Sequence, residues 1–214
     1  MNEIVFLEPN RLDAEPFTTS KVISERSGVS HKYVKKQITS HVTEFESLGL
    51  LGAYATESTG GRPEEFFKLN EPQSSFLLTL LKNTPVVVTF KLELVRQFYL
   101  MRTELTRRHL LREQLKPIRR ELTDVIKDIP DVSKWAYKQY TDLAYKTAIG
   151  KNAAQLRKER GAESNAAAID YMTAAEIEAV AKQQNRIAVL VDMGMDYQQA
   201  KATLMNRMIA GQTA

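Results

Sequence analysis

Lys32, Lys35 and Lys36 crowd one short stretch, with Tyr33 among them, Ser30 and His31 before them and Thr39 after them. Ammonium groups set this closely suit phosphates and guanine acceptors. Thr and Tyr hydroxyls add hydrogen bonds to a nucleic-acid backbone or base edge. From Val29 to Thr43 there is no acidic residue to offset the lysines. A rotation of about 100° per residue puts Val34, Ile38, His41, Val42 and Phe45 on one side of a helix. Lys32, Lys36, Thr39 and Thr43 fall on the other side, flanked by Tyr33 and Lys35. His41 therefore reads as a packed residue. His31, at the positive start of the helix, could meet a phosphate, though an ordinary surface or capping role is the simpler reading. A solvated surface helix shows the same face, so spacing alone leaves phosphate binding and plain solvation both open.

The elements that would position these side chains are legible nearby. Thr18, Thr19 and Ser20 offer oxygens to cap a preceding helix. That helix carries Val22 and Ile23 inward, and Ser24 is small enough to let a second helix approach. Ser27-Gly28 ends it, Val29 anchors the turn in the core, and Ser30 caps the next helix. The result is a helix-turn-helix, with one departure: Gln37 sits where an apolar residue is expected and Ile38 takes its place. Leu50 to Thr56 and Glu65 to Leu69 then read as two strands around ESTGGRPEE, with Arg62 near the tip. This is the order of a winged helix, in which Arg62 can reach a minor groove or a phosphate while Glu64 and Glu65 oppose it; the alternative is an ordinary hairpin turn with an exposed Arg. The candidate DNA-binding set is Thr19, Ser30, His31, Lys32, Tyr33, Lys35, Lys36, Thr39 and Arg62.

Before this region, Ile4 to Leu7 reads as an edge strand. After it, Asn70-Glu71-Pro72 opens a helix with Phe76, Leu77, Leu80 and Leu81, and Pro85 starts a longer one. Phe90, Leu94, Phe98, Met101 and Leu105 form its first apolar stripe. A rotated stripe follows at Leu111, Leu115, Ile118 and Leu122, with Pro117 as a kink or break. The change of stripe places a boundary near residues 106–110. The second stripe either pairs chains as a coiled coil or packs within its own chain. Downstream, Ser133 starts a helix carrying Trp135, Tyr137, Tyr140, Leu143 and Tyr145, and Gly150 interrupts it. Thr173-x-x-Glu176 and Asp196-x-x-Gln199 are capping-box patterns. The expected fold is mainly α with a small β-hairpin. It comprises a winged helix-turn-helix-like domain over 1–106, a helical connector over 107–130 that could oligomerise, and an all-α domain over 131–214.

The composition excludes several function classes. The chain has 214 residues, a net charge of +4 and no cysteine, so neither disulfides nor thiolate metal sites arise. The three histidines, His31, His41 and His109, form no ligand cluster with carboxylates. No nucleophile signature or phosphate loop appears, and the aromatics around Trp135 have core spacing. Catalytic residues, metal, cofactor and small-molecule substrate are all expected to be none. No apolar run spans a bilayer and the N-terminus lacks a basic secretion start, which points to a cytoplasmic protein without membrane partners. Residues 1–100 hold 11 basic and 12 acidic residues, leaving 19 of the 30 basic and 14 of the 26 acidic for the remainder. The excess concentrates in Arg96, Arg102, Arg107, Arg108, Arg112, Lys116, Arg119 and Arg120. Pairing with neighbours such as Glu104 and Glu113 is the simpler reading of that run.

FTTSKVISERSGVSHKYVKKQI, then RPEEFFKLNEPQSSFLL, then FKLELVRQFYLMR occur in an order that resembles the phage regulatory protein Rha family, over about residues 15–105. That family's helix start and His-Lys pair fall on Thr19-Ser20 and His31-Lys32. This chain departs from it at Gly60-Gly61 before Arg62. YTDLAYKTAIGKNAAQLRKERG and MTAAEIEAVAKQQNRIAVLVDMGMDYQQAKATL are similar to the C-terminal domain of phage antirepressors. The resemblance implies a lysis–lysogeny regulator in the bacterial host cytoplasm. Its partner would be double-stranded DNA, a phage repressor protein, or both. A single short recognition helix covers few base pairs, so a homo-oligomer reading paired half-sites is expected.

Overall fold

The computed structural model describes residues 3–8, 10–55 and 65–212. The fold is mainly α with a small antiparallel sheet. The chain divides into two compact units, Met1–Pro9 with Ala14–Thr103, and Asn10–Asp13 with Glu104–Ala214. The boundary falls a few residues before the change of stripe.

In the first unit, β1 (Phe17–Thr19) leads directly into α1 (Ser20–Ser27). The Thr19 hydroxyl accepts the Val22 N–H at 3.1 Å, as a helix N-cap does. Gly28 ends the helix at φ 70°, and its N–H donates to the Ser24 carbonyl at 3.1 Å. Ser24 also turns its hydroxyl to the Val29 carbonyl at 2.8 Å, which ties the turn to the helix before it. Ser30 then caps α2 (His31–Ser40).

The single helix expected from Val34 through Phe45 is two helices, because α2 stops at Ser40 and α3 (Val42–Ser47) restarts after His41. The Thr39 hydroxyl donates back to the carbonyls of Lys35 and Lys36 at 3.0 and 3.2 Å, which competes with the helical ladder. Ile38, Thr39, Val42 and Thr43 are β-branched and poor at prolonging a helix. Past Ser40 the helical wheel therefore fails. Phe45 stays fully buried, Val42 is exposed, and His41 is only half-buried, edge-on to Phe76.

β2 (Gly52–Ala55) and β3 (Glu65–Asn70) pair antiparallel, with Tyr54 opposite Phe66. β1 adds to the far edge of β3, giving the order β1-β3-β2. Thr18 and Thr19 therefore belong to a third strand as well as to the start of α1. Conversely, Ile4 to Leu7 is not a strand. Phe6 makes one bridge to Phe17, and the N–H groups of Ile4 and Val5 donate to the Gln97 side chain at 2.9 and 3.3 Å. The connection that contains Arg62 lies outside the described residues.

α4 (Glu71–Leu80) begins with a reciprocal capping box between Asn70 and Gln73. α5 (Pro85–Lys127) begins at Pro85 and runs through Pro117 without a break. Pro117 is exposed, on the face of the helix turned from the core. The core of this unit joins Ile23, Val34, Ile38, Phe45, Leu69 and Leu77 to Val87, Phe90, Leu94 and Phe98 of α5.

The second unit comprises the rest of α5, then α6 (Ala136–Ile149), α7 (Ala153–Glu159), a short 3-10 turn at Ala168–Tyr171, α8 (Ala174–Asp192) and α9 (Tyr197–Gln212). Ser133 does not cap α6; its oxygen accepts the Trp135 N–H just before the helix. The two capping boxes read from sequence are both closed, at Thr173/Glu176 and Asp196/Gln199. Leu115 packs with Tyr145, Leu156, Met172 and Ile177, while Leu122 and Ile126 pack with Tyr140, Leu143 and Ile187. The rotated stripe of α5 thus lies within the core of its own chain. Trp135 and Tyr137, placed in the core by spacing, are exposed.

Candidate nucleic-acid interface

α2 has a strict division of labour. Val34 and Ile38 are fully buried, and such side chains stabilise by about 1.5–3 kcal/mol each when removed from water. One turn apart on the same face, they fix the rotation of the helix against α1, α4 and β3. That rotation leaves Lys32, Tyr33, Lys36 and Thr39 exposed, with Thr43 of α3 beyond them.

The other candidates are more constrained. Lys35 is half-buried and pairs with Glu65 of β3 at 3.1 Å. Any phosphate it met would compete with that carboxylate. His31 lies 3.0 Å from the Ser20 hydroxyl through Nε2, and the same Ser20 oxygen accepts the Phe67 N–H at 3.0 Å. Its ring therefore braces α2 against α1 and β3. Thr19 and Ser30 spend their side-chain oxygens on the N-caps of α1 and α2. Four residues of the expected set, Lys32, Tyr33, Lys36 and Thr39, thus share one exposed surface, with Ser30 exposed at its start.

Sequence reasoning missed the residue that secures the end of this surface. Gln73 is buried, and its amide donates to the carbonyls of Phe45 and Gly49 at 3.1 and 3.0 Å. Asn70 donates to Leu48 at 3.1 Å. Gly49 lies at φ 141°, and a Cβ there would come within 2.5 Å of the Asn70 amide, so only glycine admits this approach. The pattern Asn70-x-x-Gln73 was a readable signal for the cap, but nothing in it announced the reach to α3.

Several arginines of the second unit are engaged with carboxylates of that unit. Arg108 is buried, 3.0 Å from Glu104 and 2.8 Å from Asn10. Arg107 meets Glu178 at 2.6 Å, Arg112 meets Asp170 at 2.6 Å and Arg160 meets Glu176 at 2.8 Å. Burial pushes the Glu104 carboxyl up, but the Ala174 N–H and the Arg108 guanidinium outweigh it and hold the group below the usual range. Among the described residues, no group of His, Asp or Glu is arranged to hold a metal ion. Nor is any described helix long and apolar enough to cross a membrane.

Residues 18–103 match the family model described as phage regulatory protein Rha. The matched span begins within β1, takes in the helix pair and the sheet, and ends at the boundary between the two units. It is the N-terminal part of the chain, and it supports a phage regulatory role. No curated protein matches this sequence.

Proposed function

With an N-terminal part of the Rha family as premise, we propose that this chain is a phage or prophage regulator of the lysis–lysogeny type that binds double-stranded DNA through α2. The observation that carries this reading is the outward face of α2. Lys32, Tyr33, Lys36 and Thr39 are exposed, while Val34 and Ile38 seat the opposite face. A helix held this way presents cations and hydroxyls to a major groove without rearrangement. The hairpin of β2 and β3 beside the helix pair supports a winged-helix reading, with Arg62 on the connection between them.

Lysine–phosphate contact makes affinity fall steeply with salt. A mobility-shift series across ionic strength tests it. Lys32→Ala with Lys36→Ala is expected to weaken binding across all sequences and to reduce the salt slope by about 2. Full, equally salt-sensitive affinity in that variant would remove α2 from the account.

A second reading is an antirepressor that acts by binding a phage repressor protein. The near balance of 11 basic and 12 acidic residues over 1–100 favours it, because little net field draws this part toward DNA. Repressor captured by this chain in a pull-down, together with no shift of DNA at low salt, would favour it over the first. In either reading the regulator works as a homo-oligomer in the host cytoplasm.

A further inference from the structure

The second unit holds a pocket of about 500 Å³ where the end of α5, the start of α6 and the turn between α8 and α9 meet. Its deeper lining is apolar: Val125, Ile129 and Val132 are half-buried and Val191 is buried. Its rim is acidic. Asp128, Asp131, Asp192 and Asp196 line it, all exposed, and none has an ion-pair partner among the described residues. No lysine or arginine is among the described lining residues. Acids at a rim draw any cation, but Tyr140 adds a second feature. It lines the pocket and is 3% exposed, with its ring held edge-on by Tyr197 at 5.3 Å. A tyrosine buried this far ordinarily finds a hydrogen-bond partner. The Tyr140 hydroxyl has none among the described residues, and it is not sealed in the core either, so it opens on the pocket. Burial and then the charge of Asp196 push its pKa up, so the phenol stays neutral and its oxygen can accept an N–H.

We propose that this pocket binds an aliphatic cation with ammonium groups spaced along it, its methylenes on Val125, Ile129, Val132 and Val191, its charges at the four aspartates and one N–H on the Tyr140 oxygen. Three features select this chemistry. The acids do not converge: among the described residues no three His, Asp or Glu side chains are grouped as a metal ion needs. Separate carboxylates suit separate charges. The apolar lining beneath them suits methylene stems, which bury readily while their charged heads stay at the water boundary. The volume lies in the range of ligand pockets, with a few polar groups set in an apolar wall. A free polyamine has this chemistry, and so do successive lysines of a bound protein segment.

The pocket lies outside the residues that match the Rha model and takes no part in DNA contact by α2, so the two readings fail separately. Titration calorimetry of the full chain at low salt tests it, with spermidine in one arm and a terminally blocked trilysine peptide in the other. At least one of the two is expected to bind saturably and to weaken as salt screens the acids. Binding of spermidine alone identifies a free polyamine; binding of the peptide identifies a lysine-bearing segment. The same peptide with its side-chain amines acetylated keeps the stems, loses the charges and is expected not to bind. Asp128→Asn with Asp192→Asn should weaken binding about fivefold or more. Tyr140→Phe should weaken it about fivefold with no loss of melting temperature, because the hydroxyl it removes is unpartnered in the free protein. A tyrosine with a purely structural role would leave affinity unchanged. Failure of both cations to bind would overturn the proposal. So would equal binding of the acetylated peptide, or folded variants that keep wild-type affinity.

Discussion

The α2 face of the first unit and the arginines packed in the second show cations with different fates. In the first unit, Lys32 and Lys36 stand exposed on a helix whose other face is buried. In the second, Arg107, Arg108, Arg112 and Arg160 each meet a carboxylate of the same unit. Yet the sequence puts the basic excess in residues 101–214 and near balance in 1–100. Net charge counts groups; binding depends on which of them tertiary structure has left facing water. The arginine run reads most simply as paired with its own acids, and Arg108 with Glu104 is such a pair.

The contrast can be broken at several points. The largest effect is expected from Arg108→Ala, which strands Glu104 and Asn10 in a half-buried site and should cost about 2–4 kcal/mol. Chemical denaturation should show that loss while DNA affinity stays at the wild-type value. Lys32→Ala with Lys36→Ala should do the reverse, changing the denaturation midpoint little and weakening DNA binding about tenfold or more. If both variants changed stability alone, the two units would not differ in the way described.

Gly28→Ala comes next. No atom lies within 4 Å of the added Cβ, so the cost is the left-handed backbone alone, about 1–2 kcal/mol. Because the turn sets α2 against α1, this variant should lose stability and DNA affinity together, measured by melting and by mobility shift.

Acidification probes the second unit by another route. Glu104 is held below the usual carboxylate range, so its folded form is the better acid. The stability it contributes is complete above its unfolded pKa and is lost as pH falls through the lowered folded value. Melting temperature should therefore fall below about pH 4, with a shallower slope in Glu104→Gln. The smallest effect belongs to Lys35. Its pair with the largely exposed Glu65 should be worth about 0.2–1 kcal/mol in a double-mutant cycle.

The parts of the molecule that sequence revealed are those governed by local chemistry. Thr19, Gly28, Ser30, Thr173 and Asp196 mark helix ends because their backbone and side-chain groups act within a few residues. The burial of Val34 and Ile38 follows from one turn of helix. Legibility ended where groups distant in sequence compete. The break at His41, the third strand at Phe17–Thr19 and the exposure of Trp135 each depend on partners or neighbours that no periodicity encodes. The two apolar faces of α5 are indistinct in sequence for the same reason. Val88, Leu92, Val95 and Tyr99 interleave with an equally apolar inner stripe, and only packing tells the two apart.

Sequence by itself therefore determined the helix pair, its turn and the residue types on the face of α2. Tertiary structure decided which of those residues meet water. It turned His31 into a brace on Ser20, tied Lys35 to Glu65 and left Lys32 and Lys36 outward. The physical reason is range. Capping and helical periodicity act over a turn of chain, whereas burial and ion pairing join residues that only the folded backbone brings within reach.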